Sequence, residues 1–253
     1  VGSEMCIRDR MNDEMGRKMV VSQHFSDLGG KFVTPPESLA LKLKSVQALV
    51  FDWDGVFNDG SKGTGSASLF SEADSMGTNM LRYGLWLQNA RMPAAVVITG
   101  ERNRTAVEFA EREHFNAIFA GIGNKRKAVE HICAEYNLSP DALACVFDDI
   151  NDLSMAERCG VRCLVNRRAS PLFREYVRDH GHCDYITGQR SGQNAVREIS
   201  ELFLGLCGLF GSVVDSRTAV DQPYRDYLER RQAIVTRVYG QVDDAVVEVK
   251  TVA

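Results

Sequence analysis

The chain has 253 residues, 44% hydrophobic and 25% charged, with a formal net charge of -4 at pH 7. That length can bury a sizeable core and suits one α/β domain with extensions at its ends. The charge balance argues against a nucleic-acid surface, which needs clustered Lys and Arg to release counterions. No apolar run is long enough to span a membrane: the most apolar segment, Leu202 to Phe210, is short and broken by Gly205 and Gly208.

Seven scattered cysteines without a CxxC pair fit a reducing compartment better than a disulfide framework, so a soluble, cytoplasmic protein is expected. Val1 to Arg10 has charges where a secretory signal has its apolar core. This stretch reads as translated adapter sequence of the kind found at the ends of metagenomic gene models, with Met11 or Met15 as alternative starts, and it is assigned no function. Residues 1–45 are expected to be an N-terminal extension.

From Val46 to about Leu204, short apolar runs alternate with amphipathic stretches, as a doubly wound parallel sheet covered by helices requires. The predicted strands are Ala48 to Phe51, Ala94 to Ile98, Ala117 to Ala120, Ala144 to Phe147, Arg162 to Val165 and Asp184 to Ile186. Helical patterns lie between or after them near Met76 to Asn89, Arg102 to His114, Lys125 to Tyr136, Leu153 to Cys159, Pro171 to Arg178 and Asn194 to Leu204. Right-handed crossovers put the carboxyl ends of such strands on one edge, where open α/β sheets bind their ligands. The Gly- and Ser-rich stretch Gly60 to Ser71 reads as a β-hairpin flap after the first strand. Residues 205–253 form a C-terminal extension, partly helical, in which Tyr224, Tyr227, Leu228, Ile234, Val235 and Val238 recur at helical spacing. His180, His182 and Cys183 cluster without a matching second pair, so a solvated loop is favoured over zinc.

Four strand ends carry the residues that suggest chemistry. Asp52-Trp53-Asp54-Gly55 follows the first apolar run, and alternate residues of a strand point to one side, so both carboxylates face the same way before the glycine lets the chain turn. Thr99-Gly100 follows the second strand and offers a hydroxyl and backbone N–H groups to a phosphate. Lys125 opens a helix after Gly121 and Gly123. Asp148, Asp149 and Asp152 crowd the end of another buried strand. One Asp can cap a helix, but three repel one another, and a divalent cation relieves that repulsion. Each motif alone is also ordinary loop punctuation.

The order Asp-x-Asp-Gly, Thr-Gly, Lys, Asp-Asp-x-x-Asp over Val46 to Leu204 resembles the haloacid dehalogenase superfamily of phosphotransferases. The resemblance implies a Rossmann-like core and Mg²⁺ held by Asp52, the backbone carbonyl of Asp54, and Asp148. It also implies that Asp52 is the nucleophile and Asp54 the general acid and base. Thr99, Gly100 and Lys125 would bind the phosphate, with Asp149 and Asp152 orienting metal waters or Lys125. The stretches between motifs leave no room for a large cap domain, which implies a homo-oligomer to shield the site, most simply a tetramer.

Among capless members the chain is similar to the 3-deoxy-D-manno-octulosonate 8-phosphate phosphatases and their sialic-acid-pathway relatives, through Phe70-x-x-x-Asp74-x-x-Gly77, Asn124-Lys125 and Ala195-Val196-Arg197-Glu198. The substrate implied is a small phosphorylated sugar or sugar acid. Ala73, Glu101 and Gln193 stand where that family usually has arginine, Ser75 replaces a glycine, and Phe147 replaces the glycine before Asp148. Losing three guanidinium forks weakens carboxylate recognition, with Arg102, Arg104 and Arg190 as candidate replacements. Two alternatives stay open: a phosphatase for a neutral sugar phosphate, and a non-catalytic oligomerisation module of a sugar-nucleotide pathway.

Overall fold

Strands made of uninterrupted apolar residues must be covered on both faces, and that requirement organises this molecule. The computed structural model describes residues 2–62, 69–243 and 245–250, except for the side chains of residues 2–14. In chain order the elements begin with α1 (Gly2–Asp27), β1 (Lys31–Phe32), α2 (Pro36–Leu43), β2 (Ala48–Phe51), α3 (Glu72–Asn89), β3 (Ala94–Thr99), α4 (Arg104–Arg112), β4 (Ala117–Ala120) and α5 (Lys125–Tyr136). They continue with β5 (Leu143–Phe147), α6 (Leu153–Ala156), β6 (Val161–Asn166), α7 (Pro171–Asp179), β7 (Tyr185–Arg190), α8 (Ala195–Leu206), α9 (Phe210–Ala219), α10 (Gln222–Gln232), β8 (Arg237–Val242) and β9 (Ala245–Glu248).

Among the described residues these strands form a single sheet in the order β1-β7-β6-β5-β2-β3-β4-β8-β9. It is parallel throughout except for β1 and β9, which run antiparallel at its two edges. Every residue of β2, β3, β4 and β5 is buried. One face packs on Leu81 of α3, Phe109 of α4 and Leu202 of α8, the other on Ile132 of α5, Met155 of α6 and Val177 of α7. β2 lies between β3 and β5, so the chain order reverses at its carboxyl end. That reversal opens the crevice in which doubly wound sheets place their ligands. Among the described residues, no domain interrupts the path from β2 to β3 or from β3 to α5 beyond α3, α4 and β4. Half of the expected hairpin flap, residues 63–68, lies outside the described residues.

All six predicted strands are present, but the ends of the chain hold more structure than expected. Val238, the last residue of the pattern read as helical, lies in a strand beside β4, Arg237–Val242, and the last helix covers only Gln222–Gln232. Tyr239 explains the difference: it is buried and stacks on Phe119 of β4 at 4.7 Å between ring centroids. At the other end, Thr34 and Lys42 each reach the buried carboxylate of Asp184 at 2.6 Å, fastening the N-terminal segment to the start of β7. In the cluster read as a solvated loop, His180 stacks on Tyr176 at 4.0 Å, but Cys183 is buried in the core.

Candidate active site

The site begins where β2 ends. Asp52 and Asp54 leave the strand on one side, and Trp53 between them points the opposite way into an aromatic group with Phe57 and Phe109, at centroid separations of 5.1 and 5.3 Å. Gly55 then turns the chain with φ +92°. A Cβ there would collide with the carboxylate of Asp148 and the guanidinium of Arg167. Asn58 pins the turn: its Oδ1 accepts the N–H of Gly60 at 2.8 Å and that of Gly55 at 3.4 Å, and its Nδ2 donates to the carbonyl of Trp53.

Thr99 closes β3, buried, and its Oγ1 accepts the N–H of Glu101 at 3.3 Å. Asn124 caps α5 by accepting the N–H of Arg126, which sets Lys125 at the first position of the helix. The Lys125 ammonium donates to Asp52 and lies 2.5 Å from Asp152. Beyond β5, Asp149 caps a short 3₁₀ turn over Ile150–Asp152, and Asp152 Oδ2 accepts the N–H groups of Asp148 and Asp149, each at 3.3 Å. Capping therefore accounts for Asp149 and Asp152. It does not account for Asp148, which is buried and pairs with Arg167.

Asp52, Asp54, Thr99, Gly100, Lys125, Asp148, Asp149 and Asp152 all line one cleft of about 470 Å³. Three further charged residues that sequence reasoning did not select also line it: Lys62, Glu101 and Arg167. The Lys62 ammonium stands 3.4 Å from Asp54 and 3.3 Å from Glu101, so Glu101, noted only as a departure from the usual arginine, has a cationic partner at the cleft mouth. Of the arginines proposed as replacements, Arg104 points into solvent and pairs with Glu108, and Arg102 packs along Gly121. None of Arg102, Arg104 and Arg190 is among the residues lining the cleft; the lining guanidinium belongs to Arg167. Its only sequence signal was a basic residue directly after a buried strand.

The charges are strongly coupled. Burial raises the Asp52 carboxyl well above its ordinary range, and the nearby Asp152 adds to the rise, outweighing the opposing effect of Lys125. Burial and Asp152 push Asp148 up to about 7 against the pull of Arg167. Burial alone would lower Lys125, but the charges of Asp52 and Asp152 outweigh it and hold the ammonium above its ordinary value. One oxygen from each of Asp52, Asp148 and Asp152 lies within 4.8 Å of the others, all three residues being buried. Such a hard, oxygen-only and electron-rich donor set suits a divalent cation. Asp152 already spends its oxygens on Lys125 and two backbone amides, which leaves Asp52 and Asp148 better placed to take an ion.

No family model matches the chain. It is 25% identical over 163 residues to the 3-deoxy-D-manno-octulosonate 8-phosphate phosphatases KdsC of Escherichia coli K12 and Salmonella typhi, a match covering 64% of this chain and 81% of each relative. Among solved structures, a protein described as a probable YrbI family phosphatase from Pseudomonas syringae superposes with a TM-score of 0.59 at 26% identity, covering 71% of this chain and 97% of that one. The Moraxella catarrhalis octulosonate 8-phosphate phosphatase, solved with magnesium, phosphate and KDO, gives a TM-score of 0.60 at 21% identity over 71% of this chain and 98% of its own, a likeness of fold.

Fold, cleft and sequence likeness together mark the chain as a phosphoric monoester hydrolase that resembles the haloacid dehalogenase-type phosphatases. Within that class, the chain resembles the octulosonate 8-phosphate phosphatases.

Proposed function

We propose that the protein hydrolyses the phosphomonoester of a small sugar or sugar acid, of the octulosonate 8-phosphate or sialic-acid 9-phosphate type, through an aspartyl-phosphate on Asp52. The observation that carries this reading is the bridge from Lys125 to both Asp52 and Asp152 in the same cleft as Asp148, Asp54 and Thr99. A divalent cation held by Asp52, Asp148 and the Asp54 carbonyl, Mg²⁺ in this reading, would keep the nucleophile ionised and neutralise charge on the phosphate.

The remaining chemistry belongs to the chain. Asp52 attacks phosphorus as the bond to the leaving oxygen breaks, and Asp54 delivers its proton to that oxygen. A water then attacks the phosphoenzyme, giving its proton to Asp54, and the Asp52–phosphorus bond breaks to release phosphate. Thr99, the Gly100 backbone and Lys125 hold the transferring group, and Lys125 is itself fixed by Asp152. Asp149 keeps the loop bearing Asp148 in shape by capping the turn that follows.

A cytoplasmic homo-oligomer, most simply a tetramer, completes the proposal, since a capless cleft needs a neighbour to exclude water. Light scattering tests it: a fully active monomer refutes it. One observation favours a neutral sugar phosphate as the alternative substrate, namely that Glu101 and its partner Lys62 occupy the cleft mouth. A panel of phosphorylated eight- and nine-carbon sugar acids against hexose phosphates separates the two. For the reaction itself, hydrolysis of an aryl phosphate is expected to need Mg²⁺ and to vanish in Asp52→Asn, and metal-dependent turnover surviving that change would falsify the covalent route. Wild-type inactivity toward every sugar phosphate would favour a non-catalytic module.

A further inference from the structure

Arg167 follows β6 directly and reaches across to Asp148 at the end of the neighbouring strand, where its Nη2 donates to Asp148 Oδ2. The space for this contact is built into the chain. A Cβ at Gly55 would strike both partners, and one at Gly60 would come within 3.4 Å of Arg167 Nη2; both glycines have positive φ, +92° and +75°. The contact is through one amino group rather than a fork: Arg167 Nε is buried without a hydrogen-bond partner among the described residues, and the side chain keeps 31% of its surface in solvent. Asp148, by contrast, is almost wholly enclosed.

We propose that Arg167 is a built-in counter-cation for Asp148 that competes with the divalent ion and so sets the protein's affinity for it. This rests on the reading that Asp52 and Asp148 hold that ion. In the metal-free protein, Asp52, Asp148 and Asp152 bring three carboxyl groups together, and Lys125 and Arg167 are the cations set against them. Lys125 is buried between two carboxylates and stays. Arg167 has a single-point contact and an open side, so it is the cation that an incoming divalent ion repels and displaces. Like charges a few ångströms apart in a partly buried site oppose each other strongly, so removing the guanidinium favours the ion. The opposite role, in which Arg167 orients Asp148 and strengthens binding, predicts the opposite sign.

The test is calorimetric titration of Mg²⁺ into the purified full-length protein, without substrate. Arg167→Met is expected to bind Mg²⁺ on the order of tenfold more tightly than wild type, while Arg167→Lys, which keeps the charge, stays close to wild type. Arg167→Gln gives the same reading as Arg167→Met should the latter not fold. Unchanged or weaker binding in the neutral variants overturns the inference while leaving the metal site itself intact. Binding that is absent from wild type and neutral variants alike, or that survives Asp148→Asn undiminished, overturns the reading of the site and the inference with it.

Discussion

Gln241 and Gly123 are joined by a hydrogen bond in which the Gly123 N–H donates to Gln241 Oε1 at 3.1 Å. Gly123 lines the cleft two residues before Lys125, so β8, far along the chain, steadies the loop that delivers Lys125 to the cleft. Gln241→Ala is expected to lower kcat/KM several-fold through a less constrained Lys125, while costing only about 0.5–1.5 kcal/mol of stability, the worth of one such hydrogen bond. Steady-state kinetics on an aryl phosphate together with a urea midpoint checks both. Kinetics identical to wild type would show that the loop holds itself.

This contact marks where sequence reading stops. β2 to β6 were legible because Leu49, Val96, Ile118, Val146 and Cys163 belong to runs that are apolar and bounded by glycine or acid, and the residues of the cleft were legible because they sit at the ends of those runs. β8 was not, because Arg237, Gly240 and Gln241 interrupt its apolar pattern and only Tyr239 is fully buried: the strand exists through pairing with β4, a tertiary effect. β1 has two residues, too few for any period to show. Arg167 and Lys62 went unselected for a related reason, since a basic residue in a loop looks the same in sequence whether it faces solvent or a carboxylate.

Removing the cation at the centre of the site leaves two buried carboxylates facing each other. Lys125→Met should therefore abolish turnover and destabilise the metal-free protein by about 3–5 kcal/mol, the usual penalty for breaking a buried ion pair. Excess Mg²⁺ should recover part of that loss, because a divalent ion can replace the missing positive charge. Urea unfolding with and without Mg²⁺ measures it, and a variant as stable as wild type in chelator would mean that the carboxylates are protonated and the bridge is electrostatically idle.

Gly55 tests the geometry without touching charge. Its φ of +92° disfavours any side chain, and the added methyl of Gly55→Ala would drive apart Asp148 and Arg167. Activity should fall by at least two orders of magnitude, with a stability loss of roughly 1–3 kcal/mol from backbone strain. Kinetics and thermal melting decide the point: near-normal turnover would mean that the turn after Asp54 can relax without moving Asp148.

The acid limb of stability should report on a residue remote from the cleft. Asp184 is wholly buried, yet hydrogen bonds from Lys42 and Thr34 and the charge of Arg162 outweigh the effect of burial and hold its carboxyl below the ordinary range. Its Oδ2 also accepts the N–H of Arg162 at 2.9 Å. A carboxyl depressed in the folded state contributes stability that is fully present above its unfolded value, about 3.9, and is lost as pH falls through the lower folded value. Asp184→Asn should cost on the order of 3 kcal/mol at pH 7, with the gap to wild type narrowing below about pH 4 as wild type loses the same interaction. Because Thr34 and Lys42 hold the N-terminal segment through this carboxylate, hydrogen exchange in α2 should rise in the variant at neutral pH. A gap that stays constant from neutral pH down to pH 2.5 would mean that Asp184 acts through shape alone and not through its charge.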